Sequence, residues 1–315
     1  MLLRRIAAWF VVPAVLAVAL GGHVSVSHVT SRPVAATIPS DRLHFGLGNS
    51  PADLGWMTSS GVPWKYRYQY LAGGVNTHTG WETWNSPTGA FASYYMDDSS
   101  KGHYIPVFVY YELLQSQPSV GSDEGSRDYS NLNNQSTMKD YYANFTILLQ
   151  KANQYGSTVL INVEPDLWGY LEQRAGSGDA TAVSASVASS GFADVAGLPN
   201  TVQGFAWGLL KLRDTYGPNA VLAIHASAWG SGIDIASDSS PSVNAATEAD
   251  KTAAFLNSAG IVTRKSAILW WSGQASAFPS MGVCWRAAGP WTNPCSPGRA
   301  ARLTSRRVRQ SRAGR

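Results

Sequence analysis

The chain has 315 residues, a formal net charge of +4, 44% hydrophobic residues and only 14% charged ones. An average soluble domain carries about 25% charged residues, so the surface is unusually uncharged, and charge-driven disorder is excluded for most of the chain. Two cysteines, with no Cys-x-x-Cys pair, offer at most one bridge and argue against a thiolate zinc site.

The positive charge is concentrated at one end. Residues 1–250 hold 13 Lys or Arg and 20 Asp or Glu, whereas residues 251–315 hold 11 and none. The folded body is therefore expected to be acidic, which suits a neutral polysaccharide better than nucleic acid.

In chain order, residues 1–36 have the form of a signal peptide. Arg4 and Arg5 precede an apolar stretch from Ile6 to Leu20, followed by Gly21 and Gly22. That stretch is short of the ~20 residues that span a bilayer. Cleavage fits after Gly22 or near Val34-Ala35-Ala36. The expectation is a secreted, monomeric protein with no membrane contact beyond this segment. Residues 37–42 form a linker and residues 43–272 the folded domain.

Strands are predicted at 43–48, 64–70, 105–112, 159–164, 221–225 and 266–271. The 64–70 segment alternates aromatic and polar residues; those at 105–112 and 159–164 are nearly continuous apolar runs. Helices are predicted at 139–154, 201–216 and 248–258. In the first, Tyr142, Phe145, Leu148, Leu149 and Ala152 recur at helical spacing, and Gly156 ends it. The Ser-, Asn- and Asp-rich segment 116–137 is expected to be a long loop. Buried strands alternating with amphipathic helices define an α/β fold with a parallel sheet. No Gly-x-Gly-x-x-Gly follows a strand, which disfavours a dinucleotide fold. The expected architecture is a (β/α)8 TIM-type barrel, incomplete at the C-terminus, because six strands are found where eight are needed. Residues 273–315 lose all periodicity and end in seven arginines. Three readings of this tail stand: a basic arm for nucleic acid or an acidic surface, a disordered end, or non-native sequence from a shifted reading frame. No regular closing strand is expected within it.

The candidate chemistry clusters at Asn162-Val163-Glu164-Pro165-Asp166, at the end of the fourth strand. Alternation places Asn162 and Glu164 on one face, toward a barrel axis, and Ile161 and Val163 against the helices. Barrel enzymes hold catalytic groups at this end of their strands. Glu164 is expected to be a general acid, with Asp166 or Glu112 as its partner, because glycosidic cleavage uses two carboxyls. A hydrogen-bonded structural carboxylate is the alternative for each. Arg67 and Gln69 share a strand face, and Arg67 is expected to pair with an axial carboxylate or bind substrate hydroxyls. His225 ends the fifth strand as a base, a substrate donor or a satisfied structural imidazole. Trp81, Trp84, Trp168 and Trp229 are either platforms for sugar faces or core residues. No His-Glu-x-x-His and no Gly-x-Ser-x-Gly occurs, so neither a metal site nor a serine hydrolase is indicated, and no cofactor is expected.

Glu164-Pro165-Asp166 resembles the Glu-Pro-Asp segment of glycoside hydrolase family 6 cellulases. Glu164-Pro165 at a fourth strand's end is also similar to the Asn-Glu-Pro acid/base motif of clan A barrel glycosidases. Clan A places Asn directly before Glu, whereas Val163 intervenes here. No counterpart of the family 6 acid loop or of the clan A nucleophile is found. Residues 43–235 are also similar to secreted actinobacterial proteins of unassigned activity. The resemblance implies a glycosidase-type barrel acting on a polysaccharide or oligosaccharide. A non-catalytic carbohydrate-binding barrel, or an inactive truncated copy, is the alternative.

Overall fold

The computed structural model describes residues 38–39, 42, 44–176 and 178–261, and the backbone of 267–271 and 284–287. The expected signal segment, and the arginine-rich part of the tail, lie outside the described residues.

Seven strands form one sheet: β1 (Gly46–Gly48), β2 (Tyr66–Leu71), β3 (Ile105–Tyr110), β4 (Val159–Val163), β5 (Ala220–His225), β6 (Ala267–Trp271) and β7 (Cys284–Ala287). They lie side by side in chain order. β1 to β6 are parallel, and β7 runs antiparallel to β6. The first six match the predicted strands. β7 is a short strand within residues 273–315 that runs antiparallel to β6, opposite to the parallel strands of a barrel, and the rest of that tail lies outside the described residues.

Among the described residues, seven helices accompany the strands: α1 (Leu54–Ser59), α2 (Ala90–Lys101), α3 (Glu124–Leu132), α4 (Gln135–Tyr155), α5 (Leu167–Ala175), α6 (Val202–Tyr216) and α7 (Ala245–Ser258). Their starts follow capping chemistry. Asp123, Asn134, Thr201 and Asn244 each accept a backbone N–H of the first turn with the side chain. Gly156 closes α4 at φ +75°, a left-handed position that glycine takes without a Cβ penalty.

Side-chain alternation sorts the strands into two faces. Leu71, Phe108, Tyr110, Val159, Ile161, Val163, Leu222 and Ile224 share one large core with residues of α2, α4, α5, α6 and α7. The opposite face carries a smaller cluster of Tyr66, Val107, Leu160, Val221 and Ala223, with Ile38, Tyr68 and Ile105 against it. All the helices in the large core thus cover one face of the sheet.

Candidate active site

The second face ends, at the C-terminal edge of the strands, in polar and aromatic residues. The register aligns Tyr70 with Val109, Val109 with Asn162 and Asn162 with Ala223. By the same alternation Tyr111, just beyond β3, and His225, the last residue of β5, belong to this face. Tyr70 is 48% exposed, enough to meet a ligand. Its ring meets Tyr111 edge-on at 6.2 Å. Tyr111 donates its hydroxyl to Glu124 Oε1 on α3.

Asp166 stands at the start of α5, half-buried, and α5 begins without a side-chain cap, so its carboxylate is not spent on the helix. Its charge reaches Tyr70, Tyr111 and Tyr170 and helps to raise the pKa of each phenol, after the larger effect of burial. Tyr170 is pushed up to about 12, by desolvation first and then by Glu124, Asp166, Asp128 and Asp123. Its ring lies 4.7 Å from that of Trp229. Trp229 reaches this position because Gly169 has no side chain: a Cβ there would lie 2.7 Å from Trp229 Cη2. The edge of the sheet thus carries two aromatic pairs, Tyr70 with Tyr111 and Tyr170 with Trp229, among the carboxyls of Asp166 and Glu124.

Glu164 is placed differently from the expectation. Its φ is +46°, in the left-handed region that non-glycine residues rarely take, so the alternation of β4 stops at Val163. The carboxyl turns away from the expected axial position into the sealed space under α3 and α4. Oε1 accepts the backbone N–H groups of Glu112 at 2.9 Å and Leu113 at 3.2 Å. The Tyr141 hydroxyl of α4 approaches the same carboxyl, and Oε2 has no partner within hydrogen-bond reach. Burial, foremost, and the neighbouring Asp128 push its pKa well above the usual carboxylate range.

Glu112 is sealed in the same layer, fully buried. Desolvation and then Glu82 raise its pKa to about 8, against a lowering by the Gly74 N–H. Asp128, on α3, is also fully buried with both oxygens unpartnered, and burial, Glu124 and Asp166 raise it to about 8. These carboxyls do not gather into a chelate: no three His, Cys, Asp or Glu side chains among the described residues could hold a metal ion.

Several other predicted site residues serve the fold. Arg67 is fully buried on the helix face, donating Nε to Asn49 Oδ1, Nη1 to Ser99 Oγ and Nη2 to the Ser50 carbonyl. Its guanidinium also lies 4.1 Å from the Tyr95 ring centroid. These contacts tie β2 to α2 and the β1–α1 turn, in place of the expected axial pairing. Gln69 shares that face by alternation and is half-buried. Trp81 is fully buried and donates Nε1 to Asn144 Oδ1. Trp168 is buried, donates Nε1 to the Val163 carbonyl and stacks on Phe205. Trp84 is 41% exposed and packs edge-on against Phe91, away from the described aromatic pairs. Asn162 is buried on the second face with Oδ1 unpartnered. His225 places Nδ1 3.0 Å from the Pro165 carbonyl and 3.1 Å from Ser227 Oγ, which fixes the turn between Glu164 and Asp166 against β5.

The predicted set therefore divides. Asn162 and His225 lie on the second face and Asp166 at its C-terminal end, Trp229 stands against α5, Gln69 lies on the helix face and Trp84 apart, and Glu164, Glu112, Arg67, Trp81 and Trp168 are internal. Tyr70, Tyr111, Glu124, Asp128 and Tyr170 were absent from the sequence-based set. The signal for the α3 pair was Asp123, an N-cap residue followed by Glu124 within a polar segment. For Tyr170 it was the apolar spacing Leu167, Trp168, Leu171, Ala175. No helix among the described residues is long and apolar enough to cross a membrane. Comparison with protein-family models, with curated proteins and with solved structures gives no match.

Proposed function

We propose that the protein is a secreted barrel of glycoside-hydrolase type, acting on a polysaccharide at the C-terminal end of its parallel strands. The barrel reading is supported by strands that follow one another in sequence order, with the helices of the main core on one face; a doubly wound sheet covers both faces. Asp166 carries the functional reading: a half-buried carboxylate, uncommitted to its helix, among tyrosine rings at that end of the sheet. Aromatic faces stack on sugar rings, and the Asn162 amide and tyrosine hydroxyls suit sugar hydroxyls. Glu124, oriented by the Tyr111 hydroxyl, is the second carboxyl that glycosidic cleavage requires. One of the pair protonates the leaving oxygen, while the other activates water or attacks the anomeric carbon. Glu164 acts from behind, holding the backbone that carries Tyr111.

A non-catalytic carbohydrate-binding barrel is the second reading, favoured by the burial of Glu112 and Glu164, which removes two of the three carboxyls first expected to act. A hydrolysis screen over plant, fungal and bacterial glycans separates the two. Cleavage of one class, lost in Asp166→Asn, supports the enzyme. Binding without cleavage, unchanged in Asp166→Asn, supports the binding barrel.

A further inference from the structure

We propose that residues 79–94, outside the strand-end site, form a second glycan contact that stacks neutral polysaccharide on Trp84 and Tyr94; the inference rests on the carbohydrate reading above. These residues make up the end of the β2–α2 connection and the first turn of α2. α2 packs on the helix face of the sheet through Ala92, Tyr95 and Met96, whereas Tyr70 and Asn162 lie on the opposite face. Trp84 is 41% exposed and Tyr94 52%, and they share one surface rather than standing singly. Trp84 meets Phe91 edge-on at 4.9 Å, and Phe91 stacks on the buried Tyr95 at 6.2 Å. Phe91 and Tyr94 are neighbours at i and i+3 on α2. The Tyr94 hydroxyl lies 3.5 Å from the Ser86 carbonyl, on the loop that carries Trp84.

The surface is held in place by the chain itself. Trp84 Nε1 donates to the Thr79 carbonyl at 3.1 Å. The Gly89 N–H donates to the Glu82 carbonyl at 2.8 Å and closes the loop, while Asn144 of α4 donates Nδ2 to Glu82 Oε2 at 2.9 Å. The polar group of the indole is thus tied to the backbone, and what Trp84 offers outward is ring surface. A ring already held costs little to order on binding.

The charge pattern identifies the occupant. From Thr83 to Met96 there is no Lys, Arg, His, Asp or Glu, and Thr83 to Thr88 are all exposed. Ring faces beside the amide and hydroxyls of Asn85, Ser86 and Thr88 suit the C–H faces and hydroxyls of a neutral sugar. They offer no ion pair to a uronate, a sulfated sugar or an amino sugar. A stable protein interface buries about 800 Å² a side, more than two part-exposed rings of about 150–250 Å² each supply.

The test is equilibrium binding of the full chain to three immobilised polysaccharides: a β-glucan, a starch and polygalacturonate. At least one neutral polymer is expected to bind more tightly than polygalacturonate, with an affinity unchanged between about 0.05 and 0.5 M salt. Trp84→Ala and Tyr94→Ala should each weaken that polymer about three- to tenfold, the scale of one aromatic contact, and Trp84→Phe should recover most of the loss. Tyr94→Ala puts the best helix former at an exposed helix position, so it tests the contact even where Trp84→Ala disturbs the loop. Its loss should add to that of Tyr70→Ala, as independent contacts do. A double variant no weaker than Tyr70→Ala alone would place these rings in the strand-end site and overturn the second contact. Neutral-polymer binding unchanged in both alanine variants, tighter binding of polygalacturonate, or a parent dimer that Tyr94→Ala dissociates would also overturn it and leave the carbohydrate reading standing. Binding of none of the three would overturn both.

Discussion

Glu164 caps the backbone of Glu112: its Oε1 accepts the N–H groups of Glu112 and Leu113, across the join between β3 and β4. The contact requires Glu164 to sit at φ +46°, a conformation that costs a non-glycine residue about 1–3 kcal/mol. Two buried backbone donors that would otherwise be unmet offset that cost. Tyr111 immediately precedes this clamp, so the ring that faces Tyr70 is set by a carboxyl on the far side of the sheet.

Glu164→Ala is expected to orphan both N–H groups and lower stability by about 2–6 kcal/mol, since each unmet buried donor costs about 1–3 kcal/mol. Glu164→Gln keeps an acceptor at the Oε1 position and turns an amide toward Tyr141. It should stay within about 1 kcal/mol of the parent. Urea unfolding of the two variants at neutral pH checks the difference.

Stability should fall as pH rises. Glu112 and Asp128 titrate at about 8 in the folded protein and Glu172 at about 7, and Glu164 is also raised. Unfolded carboxyls titrate near ~4. Between these values the folded state binds more protons than the unfolded one, so the stabilisation is complete below about pH 4 and is lost as pH climbs through 7 to 8. Other groups add their own slopes, so the check is differential. The melting temperature of Glu112→Gln, followed from about pH 5 to 8.5, should decline less steeply than that of the parent. A parallel decline would mean that Glu112 does not titrate in this window.

The strands were legible because parallel sheets bury both faces, and runs such as Val159-Leu160-Ile161 have few other uses. The face of Ile161 and Val163 was legible for the same reason. The orientation of Glu164 was not, because its positive φ arises from a long-range contact with Glu112, and period-2 reasoning carries the alternation straight past it. Arg67 is likewise hard to place from sequence, because a lone cation in a strand looks available until Asn49, Ser50 and Ser99 fold around it. The segment at α3 reads as loop because Ser, Asn and Asp compete with helix in isolation, and its cap at Asp123 is a small signal in a polar background.

Gly169→Ala should push Trp229 off α5, because a Cβ there also falls 2.8 Å from Ser227 Oγ. The expected cost to stability is about 1–3 kcal/mol, with a several-fold loss of glycan binding. Tryptophan emission in the presence and absence of ligand follows both effects.

Arg67→Lys should lower stability by about 2–4 kcal/mol, because one ammonium cannot replace three donors directed at separate acceptors. Ligand affinity measured well below the melting temperature should match the parent. A selective loss of affinity would return Arg67 to the binding site.

On the proposed function, Asp166 rather than Glu164 meets the substrate. Turnover of Asp166→Asn and Glu164→Gln, measured side by side on the glycan that the parent cleaves, tests it most directly. Asp166→Asn should lose about 10²–10⁴-fold in kcat, the usual worth of a general acid or base, while Glu164→Gln stays within about tenfold of the parent. The reverse order, with Glu164→Gln inactive and Asp166→Asn near normal, would place Glu164, not Asp166, at the substrate as the proton donor.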